Sequence, residues 1–208
     1  MTEAGVEALF TRSDGSYAFA RWGRPIVPVV FGVEEETLSV FKGAIEAVVT
    51  LADHRMAETD PELGANLLIF FCTAWSELRW VPNLDRLIAG FDGLLTRLEE
   101  AEANQYRVFR FDEAGAIRAC FVLIRMDAHL QAVPAETLAL SQAVQMMLLW
   151  SDRAFTDVSP LAVVGEGRVI LKPEIAEVVR AAYDPVMPAA AGDASHALRL
   201  AARLGRAQ

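Results

Sequence analysis

The chain has 208 residues, 53% of them hydrophobic, and a formal net charge of -9. That composition excludes a disordered chain, and the length suits one domain that buries its core without disulfide or metal staples. The acid excess argues against a nucleic-acid or anionic-membrane surface, because either needs a basic face. The excess is local. Residues 1–104 carry 8 Lys/Arg against 17 Asp/Glu, and residues 105–208 carry 11 of each.

Residues 1–16 read as a lead-in, and 17–208 as one domain with no linker in it. No basic or apolar leader opens the chain, and the longest apolar stretch, Ala65 to Ala74, is too short to cross a bilayer. The expectation is a soluble, cytoplasmic protein. Tyr17 to Phe31 is strand-like but interrupted by Gly23, Pro25 and Pro28, so it is bent or lies at an edge. Glu34 to His54 is predicted to be a helix, because Leu38, Phe41, Ile45, Val48, Val49 and Ala52 recur at helical spacing. Its acidic run Glu34-Glu35-Glu36 falls at the positive end of the dipole, which is a structural reading of that charge.

Asn66 to Cys72 is a continuous apolar run, the signature of a strand buried on both faces. Residues 75–103 are helical in two pieces, broken at Val81-Pro82. Tyr106–Phe111 and Ala116–Met126 flank Asp112-Glu113-Ala114-Gly115 and form a hairpin. Pro134 to Trp150 is an apolar helix with Leu138, Val144, Met147 and Leu148 inward. A second hairpin turns at Gly165-Glu166-Gly167, a helix runs from Lys172-Pro173 to about Tyr183, and a loop follows. A last amphipathic helix spans about Ala194 to Leu204, with Arg199, Arg203 and Arg206 outward. Its apolar face docks either on its own domain or on a second copy in a homodimer. Antiparallel hairpins without a repeated βαβ rhythm predict an α+β fold, with a small mixed or antiparallel sheet packed against helices.

Chemistry-bearing motifs are sparse. His54, His129 and His196 are isolated, with no His-Glu-x-x-His and no paired cysteines, so no metal or cofactor residue is assigned. Asp53-His54 with Glu58 and Asp60, and Asp127 with His129, are carboxylate–imidazole neighbours of the kind that decorate ordinary surfaces. Cys72 ends an apolar strand ahead of a helix, where hydrolase nucleophiles sit, but lacks the glycines of a tight elbow. Cys72 and Cys120 read as buried thiols, with a bridge between them left open. Trp22, Trp75, Trp80 and Trp150 serve either the core or a pocket.

Three short stretches, in order, resemble an uncharacterised bacterial family whose fold is similar to the zincin metallopeptidases. They are Trp22-Gly23-Arg24-Pro25, Leu138-Ala139-Leu140-Ser141-Gln142-Ala143-Val144, and Val178 to Pro185 with its Tyr183-Asp184-Pro185 ending; Gly115-Ala116-Ile117 matches a hairpin Gly-x-Ile. The resemblance implies a zincin-like frame over most of residues 17–204, and typical members of the family look exported. It also implies a loss. Leu138 and Ala139 stand where the family carries His-Glu, and neither can bind zinc or accept a proton. The expectation is a pseudoenzyme that binds a peptide, a protein or a small ligand, with no catalytic residue. The alternative is a hydrolase built on Cys72, on Asp127 and His129, or on Asp152.

Overall fold

A computed structural model describes residues 1–204. The helix α1 (Glu3–Ala8) is followed by β1 (Phe19–Ala20), β2 (Pro28–Phe31), α2 (Glu35–Leu51) and β3 (Leu67–Cys72). A 3-10 helix (Trp75–Trp80), α3 (Leu84–Leu87) and α4 (Phe91–Glu100) lead to the hairpin β4 (Gln105–Phe111) and β5 (Ile117–Arg125). Then come α5 (Ala128–Gln131), α6 (Ala135–Met147), β6 (Leu161–Val164), β7 (Arg168–Leu171), α7 (Pro173–Ala182), β8 (Ala190–Ala191) and α8 (Ser195–Ala201). The fold is α+β.

The central sheet is mixed, in the order β2-β3-β5-β4. β2, β3 and β5 are parallel, and β4 is antiparallel to β5 at one edge. So β2–α2–β3 is a βαβ crossover, which the sequence reading did not anticipate. It is parallel because α2 carries the chain back across the sheet, and the run Leu67 to Cys72 then pairs with a strand on both sides. Alternation divides the core in two. Leu67, Ile69, Cys120, Val122 and Ile124 face α2 and α6, whereas Phe70, Cys72, Ala119, Phe121 and Leu123 face the 3-10 helix, α3 and α4. Gly32 lets the chain leave β2: its φ is +79°, and a Cβ there would lie 2.4 Å from the Phe71 carbonyl oxygen.

Both ends of the described chain are part of this body. Within residues 1–16, Val6 and Phe10 are fully buried in the main core. β1 pairs with β8, and α8 packs its buried His196, Ala197 and Leu200 inward beside α1 and α7. The apolar face of the last helix therefore docks on its own domain. Arg199 is exposed, Arg203 is half-buried and pairs with Asp184 at 3.3 Å, and Arg206 lies outside the described residues. Among the described residues no helix is long and apolar enough to cross a membrane.

The end of α6 is tied down by three aromatic side chains. Trp150 Nε1 donates to the Val144 carbonyl at 3.1 Å, Trp22 Nε1 to Met146 at 2.9 Å, and the Tyr183 hydroxyl to Met147 at 2.8 Å. These carbonyls belong to the last turn, where a helix has no internal donors left, and the helix end is buried. Replacing Tyr183 by Phe keeps the ring but leaves the Met147 carbonyl unsatisfied in the core. The expected cost is about 1–3 kcal/mol in a denaturant titration, with native circular dichroism retained. A loss indistinguishable from zero would show that the clamp is ornamental.

His196 is buried against Phe19, with Nδ1 2.8 Å from the Tyr17 hydroxyl and Nε2 buried without a partner among the described residues. Burial, aided by the Arg199 charge, holds its imidazole down to about 4. His54 is also held below the ordinary histidine range, chiefly by burial. A histidine that resists protonation in the native state lets the unfolded chain take up the proton first. Stability is therefore expected to fall as pH drops from about 6.5, the ordinary histidine value, towards 4. His196→Asn should flatten that slope in parallel thermal melts at pH 7 and pH 5; an unchanged slope would remove His196 from the account.

Candidate functional site

β4 is an open edge. The Arg125 N–H donates to the Asn104 carbonyl at 2.8 Å, so in the alternating antiparallel ladder Asn104, Tyr106, Val108 and Arg110 point their backbone at β5. Gln105, Arg107 and Phe109 point theirs the other way, and these groups make no hydrogen bond among the described residues. The opposite edge, β2, opens on Pro28, which has no N–H to offer.

Beside the β4 edge lies a cleft of ≈ 610 Å³. Its walls are β4, the segment from Leu149 to Phe155 that follows α6, and the N-terminal turn at Arg12 to Asp14. Apolar surface comes from Phe109, Leu149, Trp150 and Phe155. Trp150 is wedged between Phe10, stacked at 5.4 Å, and Phe155, edge-on at 5.0 Å. Phe155 holds a left-handed backbone at φ 64°, a conformation rare for a bulky residue and one that clusters at functional surfaces. The turn is pinned by Asp152, which accepts from the Ser13 N–H at 2.9 Å and from its hydroxyl.

Under the edge runs a polar chain. Gln142 of α6 is fully buried; its Nε2 donates to Gln105 Oε1, and its Oε1 accepts from Arg107 Nη2 at 2.6 Å. Arg107 is half-buried, forms no ion pair among the described residues, and has a buried Nε without a partner. Burial, only partly offset by Cys120, draws its guanidinium down to about 10, so the side chain is still cationic at neutral pH.

The residues singled out in the sequence are scattered. Leu138 and Ala139 are buried in the main core, on the same helix as Gln142. Cys72 and Cys120 are both free and buried, five rungs apart in the β3–β5 register. Burial raises each thiol to about 12, with Glu77 adding to the effect at Cys72. Asp127 caps α5, accepting from the Leu130 N–H at 2.8 Å and from Asn104 Nδ2 at 3.0 Å, while His129 is exposed two residues on. His54 donates Nε2–H to the Arg24 carbonyl at 2.9 Å. Asp60 is buried against Asn66 and Arg24; burial raises its carboxyl, but the Leu63 and Glu62 N–H groups and those two side chains outweigh it and hold it at about 2. Among the described residues no three His, Cys, Asp or Glu side chains gather so as to hold a metal ion. Trp22 and Trp75 are core, Trp80 is 88% exposed, and Trp150 lines the cleft.

Set against known proteins, the chain matches no family model, no curated protein and no solved structure. The residues that sequence reasoning passed over are Gln105, Arg107 and Gln142. One signal was present: Gln105 and Arg107 put polar groups on the strand face that Phe109 commits to the core. With burial raising both thiols, neither cysteine should react with a disulfide reagent in the native protein at pH 8, and both should react on unfolding. A fast native thiol would contradict the burial of Cys72.

Proposed function

We propose that this chain is a non-catalytic domain of zincin-like design that binds an extended peptide segment along the β4 edge. The reading of the frame is supported by convergence. Trp22, Tyr183 and the helix from Leu138 come from the three stretches that carry the family resemblance, and they meet at the end of α6. In that frame the helix lies beneath the sheet beside an antiparallel edge strand, the arrangement a peptidase-like cleft needs. The peptide reading rests on one observation above all: among the described residues the outward backbone groups of Gln105, Arg107 and Phe109 are unpaired, and they open onto a cleft. An added strand satisfies those groups with main-chain hydrogen bonds, and alternate side chains fall between β4 and the Leu149–Phe155 wall. Neither step requires a metal.

The outward N–H of Phe109 can be removed without touching the ladder to β5. Binding of a fluorescent alternating heptapeptide is expected to fall at least tenfold in Phe109→Pro and to be better retained in Phe109→Ala, which keeps the N–H. Equal losses in the two variants would assign the effect to the ring and contradict strand addition. Metal analysis of protein purified from zinc-replete medium bears on the other half of the reading, since stoichiometric zinc would overturn a non-catalytic frame.

A further inference from the structure

Arg107 is a cation without a counter-ion among the described residues, set beside an open cleft. It has one hydrogen bond, to the neutral Gln142, and no carboxylate partner among the described residues. The other charged groups lining the cleft are Arg12, Asp14 and Asp152. Asp152 accepts from Ser13, and Asp14 from the Ser16 N–H at 2.8 Å and its hydroxyl at 2.6 Å; both carboxylates keep their charge, but neither forms an ion pair with Arg107 among the described residues. A half-buried guanidinium loses hydration on folding, and a neutral acceptor such as Gln142 compensates less of that loss than an anion would. Gln142 cannot supply the anion, but it fixes where the guanidinium lies.

We propose that the segment bound at the β4 edge carries a side-chain carboxylate, Asp or Glu, at the position directly across from Arg107. The proposal rests on strand addition at this edge and names what that strand must contain. An internal side chain is assigned over a peptide C-terminus because Arg107 sits mid-edge. Open backbone groups continue past it at Gln105 on one side and Phe109 on the other, so an added strand runs across it in both directions. Residues directly opposite in neighbouring strands share a face, which brings the carboxylate to the guanidinium for a charge-assisted pair. The residue two positions away on that face meets Phe109 and is apolar. The ligand pattern is therefore an acidic residue with an apolar residue two places from it, between small or β-branched residues that face outward.

The test uses the full chain and two capped heptapeptides, Thr-Val-Thr-Glu-Thr-Val-Thr and its Gln counterpart, with sodium glutarate as a free carboxylate probe. The Glu peptide is expected to bind at least tenfold more tightly than the Gln peptide. In Arg107→Met that ratio should collapse to about one. The unliganded variant is expected to melt somewhat lower than the parent, because the buried Gln142 Oε1 loses its partner, so native circular dichroism is checked before the ratio is read; the ratio, not the melting temperature, separates carboxylate binding from a merely structural role. Equal binding of both peptides, with Gln105 and Phe109 amide shifts, would overturn the carboxylate assignment and leave strand addition standing. If neither peptide binds, strand addition fails, and glutarate decides the remainder. A saturable shift of the Arg107 side-chain resonance would keep Arg107 as a carboxylate site, and an unmoved resonance would overturn it. A Glu preference that survives Arg107→Met would overturn the proposal outright.

Discussion

A helix that ends inside a protein must find donors for its last carbonyls, and α6 finds them in Trp150, Trp22 and Tyr183. Those three side chains come from the segment after α6, the bend before β2 and the end of α7, so one helix terminus gathers distant parts of the chain. Leu148 extends the junction by bridging to Arg21, and the Leu149 N–H donates to the Ala20 carbonyl at 2.9 Å. Holding the end of the helix also fixes its rotation. Leu138 and Ala139 are then committed to the core, and Gln142 arrives beneath β4.

The rest of the site follows from that placement. A fully buried glutamine amide needs partners for both ends, and the inner face of β4 supplies Gln105 and Arg107. Drawing Arg107 inward leaves a positive charge under an edge whose backbone is unpaired. Natural edge strands are usually short, charged or covered, and β2 follows that habit with Pro28, whereas β4 runs seven residues with its cleft side open. The two features reinforce each other: the edge offers main-chain bonds to any extended segment, and Arg107 makes the choice selective.

Much of the frame could be read from residue patterns. The helical spacing of Leu38 to Ala52, the turn at Asp112–Gly115 and the apolar run from Leu67 each led to the right element. Strand order could not be read, because a continuous apolar run records burial on both faces but not the direction of its neighbours. β8 was invisible for a different reason: two alanines in a loop carry no strand signal, and only the pairing with Phe19 and Ala20 defines them. The candidate site was harder still. Arg107 stands in an ordinary alternating strand, and its isolation is a property of three dimensions. Cys72, Asp127 and Asp152 are residue types that catalysts use, yet a thiol packed in the core, a helix cap and a turn anchor each have local work that explains them.

The openness of β4 carries the whole account, and amide hydrogen exchange resolves it residue by residue. In the unliganded protein the Tyr106, Val108 and Arg110 amides should exchange slowly, and those of Gln105, Arg107 and Phe109 fast, because only the first set donates to β5. Addition of the acidic heptapeptide should slow the second set and leave the first unchanged. Uniform protection along Gln105–Phe111 without peptide would mean the edge is already covered, and would contradict the account.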